Sequence, residues 1–351
     1  MAMSNPLSGA QAGLVDAPSA VADRSRCRVA VVGLQNQGLE HVAALQDHAD
    51  AELVALCDRS EAVFDRVPVY ASGIPRFYDV HDLAAAGGID AWIVAVPHHA
   101  HPAVIQAATV AGVHVLKEKP LGRTLTEGLQ LVSTVESTGK VLFTGVQRRQ
   151  HATYLDLAVR LRDRRIRSVR AEITVVPKPG TATGWRSSMD SGGGVLLDLG
   201  YHAIDTLHFL LGPMVPIACT TYADGKPCGV DVIEDECRVW AQIRHTPVSL
   251  HVGRAAHKRE FFGFETDDGL FAADRRRVWH IRDGVETTLF QSDSDWSRTM
   301  KRQIADFCQV IETGQHASSD TLAEQIPTQR FIDRCYAMRR VYAGLQWTEE
   351  A

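Results

Sequence analysis

Near its start the chain runs Arg28-Val29-Ala30-Val31-Val32 and then meets Gly33. A short apolar run without polar alternation has no face to offer water, which is the condition of an interior strand in a parallel sheet. The pattern repeats. Helical spacing over 39–47 gives way to a second strand over 52–57, which ends at Asp58. A helix start at 81–86, a strand at 91–96 and a helix at 102–111 follow. Strands at 114–116 and 141–144 then flank a helix over 125–138. Strand–helix alternation supplies the crossovers that parallel neighbours need. This half is expected to be α/β, a parallel sheet covered on both faces.

After about Val146 the period changes. Residues 168–175, 237–243, 248–252 and 261–266 alternate, and Asp268-Gly269 and Asp283-Gly284 fall between such runs as hairpin turns. The second half therefore reads as α+β with a mainly antiparallel sheet. Helices over 296–312 and 321–343 close the chain and are expected to pack back on the body. A chain of 351 residues holds two domains of ordinary size. The expected division is a disordered leader or docking arm over 1–26, a dinucleotide-type domain over 27–147 and an α+β domain over 148–351.

Composition narrows the function classes. A net charge of -5 argues against nucleic acid as the main partner, and the basic clusters at 160–170 and 275–277 read as solvated faces and turns. No stretch approaches the ~20 apolar residues that span a membrane. The first 26 residues lack the basic start and apolar core of a signal peptide. Seven cysteines without a C-x-x-C pair, five of them (Cys57, Cys219, Cys237, Cys308, Cys335) in apolar patterns, suggest a reducing cytoplasm and no disulfide framework. His98, His99 and His101 are the densest histidine group, but they lack supporting carboxylates or thiols, so no metal is expected.

The first turn reads Gly33-Leu34-Gln35-Asn36-Gln37-Gly38. A dinucleotide-binding turn wants glycine at its first, third and sixth positions. Gly33 and Gly38 fit, and Gln35 takes the middle place. The turn follows a strand and opens a helix whose N-terminus can hold phosphate. Asp58, 25 residues after Gly33, stands near the distance expected of the acid that binds an adenosine ribose. A carboxylate there favours NAD. Arg59 beside it would accommodate a 2′-phosphate, so NADP stays open.

A second chemical run, Gly192-Gly193-Gly194-Val195-Leu196-Leu197-Asp198-Leu199-Gly200-Tyr201-His202, carries helical spacing after its glycines. Asp198 and His202 stand four apart, so a helix would project both from one face. Such a pair either locks a helix or orients a proton acceptor near neutral pH.

Three segments together resemble the Gfo/Idh/MocA family of NAD(P)-dependent oxidoreductases: the glycine turn ending in Asp58-Arg59, the Pro97-His98-His99 segment leading to Lys117-Glu118-Lys119-Pro120, and the glycine run ending in His202. The resemblance covers about residues 27–345. It implies a Rossmann domain, then a substrate-binding and oligomerising domain on an open sheet, as a homodimer or homotetramer. It implies a sugar, sugar-derivative or cyclitol (polyol) substrate, with Lys119, Asp198 and His202 matching the family's catalytic positions. Pro97, His98, His101, Glu118 and Lys119 join Gly33, Gln35, Asn36, Gln37, Gly38, Asp58 and Arg59 as the expected contacts to NAD or NADP. His98 stands where many members have Asn, a second departure beside Gln35. Arg148, Tyr154, Trp185, Arg186 and Tyr201 are the expected substrate contacts.

Hydride transfer needs a group to take the hydroxyl proton. His202 is expected as the acid/base, Lys119 as donor to the reacting oxygen, and Asp198 as partner of substrate or imidazole. Two other chemistries known among such proteins, NAD-dependent glycoside cleavage and imine reduction, and a non-catalytic nucleotide sensor remain as alternatives.

Overall fold

The computed structural model describes residues 26–177, 184–293, 296–314 and 322–342. All but the last residue of the expected 1–26 leader lies outside the described residues.

In the first half, β1 (Cys27–Val32), β2 (Ala51–Cys57), β3 (Arg76–Phe77), β4 (Ala91–Val94), β5 (His114–Glu118) and β6 (Leu142–Gly145) form one parallel sheet in the order β3-β2-β1-β4-β5-β6. The helices between them are α1 (Asn36–Leu45), α2 (Val80–Ala86), α3 (His101–Ala111) and α4 (Leu125–Glu136). Strand side chains alternate between two apolar layers. Val29 and Val31 pack with Val42 and Leu45 of α1, while Ala30 and Val32 pack with Val104 and Ile105 of α3. The strand order reverses between β1 and β4, and that switch point opens a crevice at the carboxyl ends of the strands.

The second half is built on nine strands: β7 (Ile166–Val175), β8 (Val215–Ala223), β9 (Lys226–Pro227), β10 (Glu236–Ile243), β11 (Thr246–Arg254), β12 (Arg259–Thr266), β13 (Gly269–Ala273), β14 (Arg277–Arg282) and β15 (Val285–Gln291). Their order is β15-β14-β13-β12-β7-β11-β10-β8-β9, and every pair is antiparallel except β7–β11. The Asp283-Gly284 turn has φ of 51° and 77°, the left-handed pair that a two-residue hairpin requires.

α5 (Ala152–Leu161) and α6 (Tyr201–Leu211) cover one face of this sheet. α7 (Trp296–Thr313) instead returns to the parallel sheet, where Met300, Ile304 and Phe307 are buried with Val31, Leu116 and Phe143. α8 (Leu322–Tyr342) packs Phe331, Ile332 and Cys335 into the core of the second sheet. On the sheet's other face Trp240 and Ile217 remain 61% and 57% exposed. Among the described residues no helix is long and apolar enough to cross a membrane.

One local expectation changes. The run after the glycines is not a uniform α-helix: Leu196–Gly200 is a π turn, and α6 begins only at Tyr201. Single π turns widen a helix and are common at functional sites. Here the wide turn falls between Asp198 and His202, so the simple one-above-the-other placement of positions four apart does not hold.

Candidate functional site

A cavity of 660 Å³ lies between the two sheets, bounded by the first turn on one side and by the π turn and the end of β11 on the other. Its wall at the first turn is made by backbone. Gly33 has φ +88°, and a Cβ there would stand 2.5 Å from Ala95 O, so only glycine lets β1 and β4 approach this closely. Gly38 packs α1 against the same turn, where a Cβ would meet Gly33 O at 1.8 Å. Gln35 is extended, at φ −72°, a conformation open to any residue, so the missing middle glycine is not a backbone defect. Its Oε1 accepts from Arg66 Nη1 at 3.2 Å, and Asn36 Oδ1 accepts from Arg66 Nη2 at 2.7 Å. No side chain caps α1, so its first amides face the cavity end where Gln35, Asn36 and Gln37 line the wall. These features fit a dinucleotide with its pyrophosphate on the helix N-terminus.

The remaining cofactor expectations fall in two groups. Pro97, His98, Glu118 and Lys119 line the cavity. Asp58 follows β2 and turns its carboxylate to the loop, accepting from Leu34 N at 2.7 Å and Ser60 N at 2.9 Å, with Arg59 exposed beside it. His101 is buried under the turn and bonds Val96 O at 3.2 Å, so it shapes the 95–98 segment from behind. His98 bonds Gly192 O at 2.9 Å and packs on Trp185, joining the two halves across the cleft. Burial, then Lys119, draws its imidazole down to about 3.

At the centre, the ammonium of Lys119 donates to Asp198 O at 2.8 Å and to Asp198 Oδ1 at 2.9 Å. Asp198 Oδ2 accepts from Arg186 Nε at 2.9 Å. Burial alone would raise the Asp198 carboxyl, but Lys119 and then Arg186 hold it well below the usual carboxylate range. Arg254 stands 4.0 Å from the same oxygen, and its buried Nη2 has no hydrogen-bond partner among the described residues. His202 lines the same cavity, pushed well below the ordinary histidine range by burial and then by Arg148 and Lys119. It is a neutral imidazole at pH 7. Asp198 gives its carboxylate to Lys119 and Arg186, so orientation of the imidazole by Asp198 is replaced by a Lys–Asp–Arg cluster. The Lys119–Pro120 peptide is cis. Behind it, fully buried Lys117 donates to Glu118 O at 3.0 Å and to Pro120 O, and burial draws it down to about 7.

Beyond His202 the cleft continues into a second arm of 250 Å³, which shares Gln37, Glu118, Lys119 and His202 with the first. Arg148 lines it and is held by Glu260, with Nη2–Oε2 at 2.9 Å. Trp185 and Arg186 line the larger cavity. Two of the expected substrate contacts are core residues instead. Tyr154 is fully buried under Phe262 with its hydroxyl on Glu260. Tyr201 is also fully buried, its hydroxyl accepting from Leu121 N and donating to Gln325 Oε1 at 2.7 Å. Neither ring reaches the cavity. Within the 275–277 cluster, read as a solvated turn, Arg275 alone is corrected, because it lines the second arm 3.5 Å from Glu260 while Arg276 stays exposed.

Sequence reasoning pointed to Arg149 only as a substrate contact beside Arg148, and missed the pairings that hold this wall. Arg149 makes a two-pronged pair with Asp205, at 2.9 and 2.7 Å, and both side chains are 2% exposed. Glu234 accepts from Leu196 N at 3.1 Å, Tyr336 at 2.8 Å and Arg339 at 3.1 Å, bracing the start of the π turn. Gly194, at φ +104°, has no room for a Cβ beside that carboxylate. Arg149 and Asp205 stand in sequence close to Arg148 and His202, but 56 residues apart from each other.

Residues 27–146 match the model of the oxidoreductase family with an NAD-binding Rossmann fold, and 165–269 match the Gfo/Idh/MocA C-terminal domain. A putative UDP-kanosamine synthase oxidoreductase subunit from Amycolatopsis mediterranei is 35% identical over 287 residues, 79% of this chain and 71% of the relative. The chain belongs to the Gfo/Idh/MocA family. A dTDP-3,4-didehydro-2,6-dideoxy-alpha-D-glucose 3-reductase from Streptomyces antibioticus is 36% identical over 195 residues, 54% of this chain and 58% of the relative's length. Among solved structures, a 3-ketoreductase from Actinomadura kijaniata in complex with NADP and TDP-benzene superposes with a TM-score of 0.78 at 21% identity, over 89% of this chain and 98% of that one. The matched NAD-binding Rossmann model spans the glycine turn that bounds the first cavity.

Proposed function

We propose that this Gfo/Idh/MocA protein transfers hydride between NAD or NADP and a carbinol or carbonyl of a sugar, sugar derivative or cyclitol. The observation that carries the reading is the meeting of Lys119, Asp198 and His202 at the junction of the nucleotide cavity and the second arm. The bound nicotinamide supplies the hydride acceptor or donor. In oxidation, neutral His202 takes the hydroxyl proton as the C–H bond breaks; in reduction, its protonated form returns that proton to the new alkoxide. Lys119 donates to the reacting oxygen and stabilises its developing charge. Asp198, fixed as a carboxylate between two cations, holds the ammonium in place. Arg254 offers its unpartnered donor to a substrate hydroxyl.

One relative is a dTDP-dideoxyglucose 3-reductase and another a putative UDP-kanosamine synthase subunit, and this supports a sugar-class substrate here. Self-association through the open face of the second sheet, at Ile217 and Trp240, fits a homodimer or homotetramer, which sedimentation would measure. The deciding experiment mixes the protein with NAD or NADP and a panel of sugars, cyclitols and nucleotide sugars, and follows reduced-nicotinamide absorbance. A rise with one panel member supports the reading. Release of a leaving group without any change in nicotinamide would replace it with glycoside cleavage.

A further inference from the structure

The second arm of the cleft is out of charge balance on one side. Its wall from the nine-stranded sheet and neighbouring loops carries Arg148, Lys258, Arg259 and Arg275 against the single lining carboxylate of Glu260, with Arg259 answered by Glu172 at 3.4 Å. That carboxylate is already committed to Arg148, to the Tyr154 hydroxyl and to Arg275. Burial would raise it, but Arg148 keeps it ionised. Lys258 is exposed at the end of the β11–β12 connection and makes no ion pair or hydrogen bond within the described residues. Partial burial, and then Arg275, pushes its ammonium below the usual lysine value, while Glu260 acts the other way. The other acids of the arm, Glu40 and Glu118, come from the parallel-sheet half, where Trp296 Nε1 donates to Glu40 at 3.1 Å and Gln147 Nε2 donates to Glu118 at 2.7 Å.

A neutral sugar would leave Lys258 unanswered. We propose that the substrate carries an anionic group beside its reacting carbinol, and that Lys258 and Arg275, backed by Arg148, seat that group. The inference rests on the cleft being the hydride-transfer site and names the substrate class it accepts. Two sources supply the chemistry, the carboxylate of a sugar acid and the phosphate of a nucleotide sugar. An arm of 250 Å³ suits a ring bearing a carboxylate, and the open position of Lys258 leaves a nucleoside free to extend into solvent. Charge-assisted hydrogen bonds to such a group are about twice as strong as neutral ones. Specificity here then follows charge before ring stereochemistry.

The test is calorimetric titration of D-glucuronate, UDP-glucose and D-glucose into the NAD-loaded protein, beside the absorbance assay. At least one charged ligand is expected to bind about 10-fold or more tightly than D-glucose, consistent with one hydrogen bond to a charged group. Lys258→Glu, at an exposed position, should erase that preference and Lys258→Arg should keep it. The preferred ligand identifies the source of the anion. Equal binding of all three, no binding by any, or a preference that survives both Lys258→Glu and Arg275→Ala overturns the proposal. Charged ligands that bind tightly without hydride transfer would leave the anion seat standing and sink the oxidoreductase reading. Turnover of neutral and charged sugars alike would do the reverse.

Discussion

The proposed cofactor wall and the proposed substrate wall of the cleft hold their residues by different means. On the cofactor wall, position comes from the main chain: Gly33 in a left-handed conformation and α1 with free amides at its start. On the substrate wall it comes from buried charge: Asp198 between Lys119 and Arg186, Arg148 on Glu260, Arg149 on Asp205, and Glu234 on Arg339. A wall of backbone tolerates side-chain exchange wherever φ permits, which is why Gln35 can stand where a glycine is usual. A wall of ion pairs tolerates little, because removing one partner strands the other charge away from water.

The comparison is broken most sharply at the chemistry itself. His202→Ala should lower turnover by about 10²–10⁴-fold while nucleotide affinity, read by fluorescence quenching, stays put. Turnover within a few-fold of the original would remove His202 from proton transfer. Next comes Arg149→Met, which leaves Asp205 without its guanidinium. Urea unfolding should register a loss of about 3–5 kcal/mol, and a loss under 1 kcal/mol would mean that the substrate wall does not stand on that pair.

A pH series sharpens the same contrast, since buried neutral histidines concentrate around the cleft and beneath α8. Burial draws His98 down to about 3 and His208 to about 4, and lowers His101 and His202 as well. Below about pH 6.5 the unfolded chain binds protons that these rings refuse when folded, so stability is full above that pH and falls as pH drops toward the folded values. Each ring contributes at most about 1.4 kcal/mol per pH unit. Denaturation midpoints should fall between pH 7 and pH 5, and a flat profile would contradict the burial of these histidines.

The cofactor wall gives the smallest effects and the cleanest pair. Gly33→Ala, strained at positive φ, should cost about 1–3 kcal/mol and weaken NAD binding. Gln35→Gly should change that affinity less than about threefold, because the backbone there is already ordinary. Equal effects of the two substitutions would show that side chains, and not the main chain, make the nucleotide turn.

Legibility in the sequence follows the same divide. Residues 28–33, the hairpin glycines, and the order of Gly33, Lys119 and His202 are local patterns, and each led to the right element. Arg148–Glu260 spans 112 residues and Glu234–Arg339 spans 105, so no window of sequence brings those partners together. Tyr201 illustrates the converse error: its neighbour His202 lines the cavity, yet its ring belongs to the core, as does that of Tyr154.

What the sequence alone determined is the family, the two sheets and the chemical groups at the centre, because period, turn residues and motif order are properties of neighbouring positions. What the tertiary structure decided is who partners whom. It gave Asp198 to Lys119 and Arg186, turned Arg275 inward and left Lys258 unpaired, since charges in a closed cleft answer to distance through space and not along the chain.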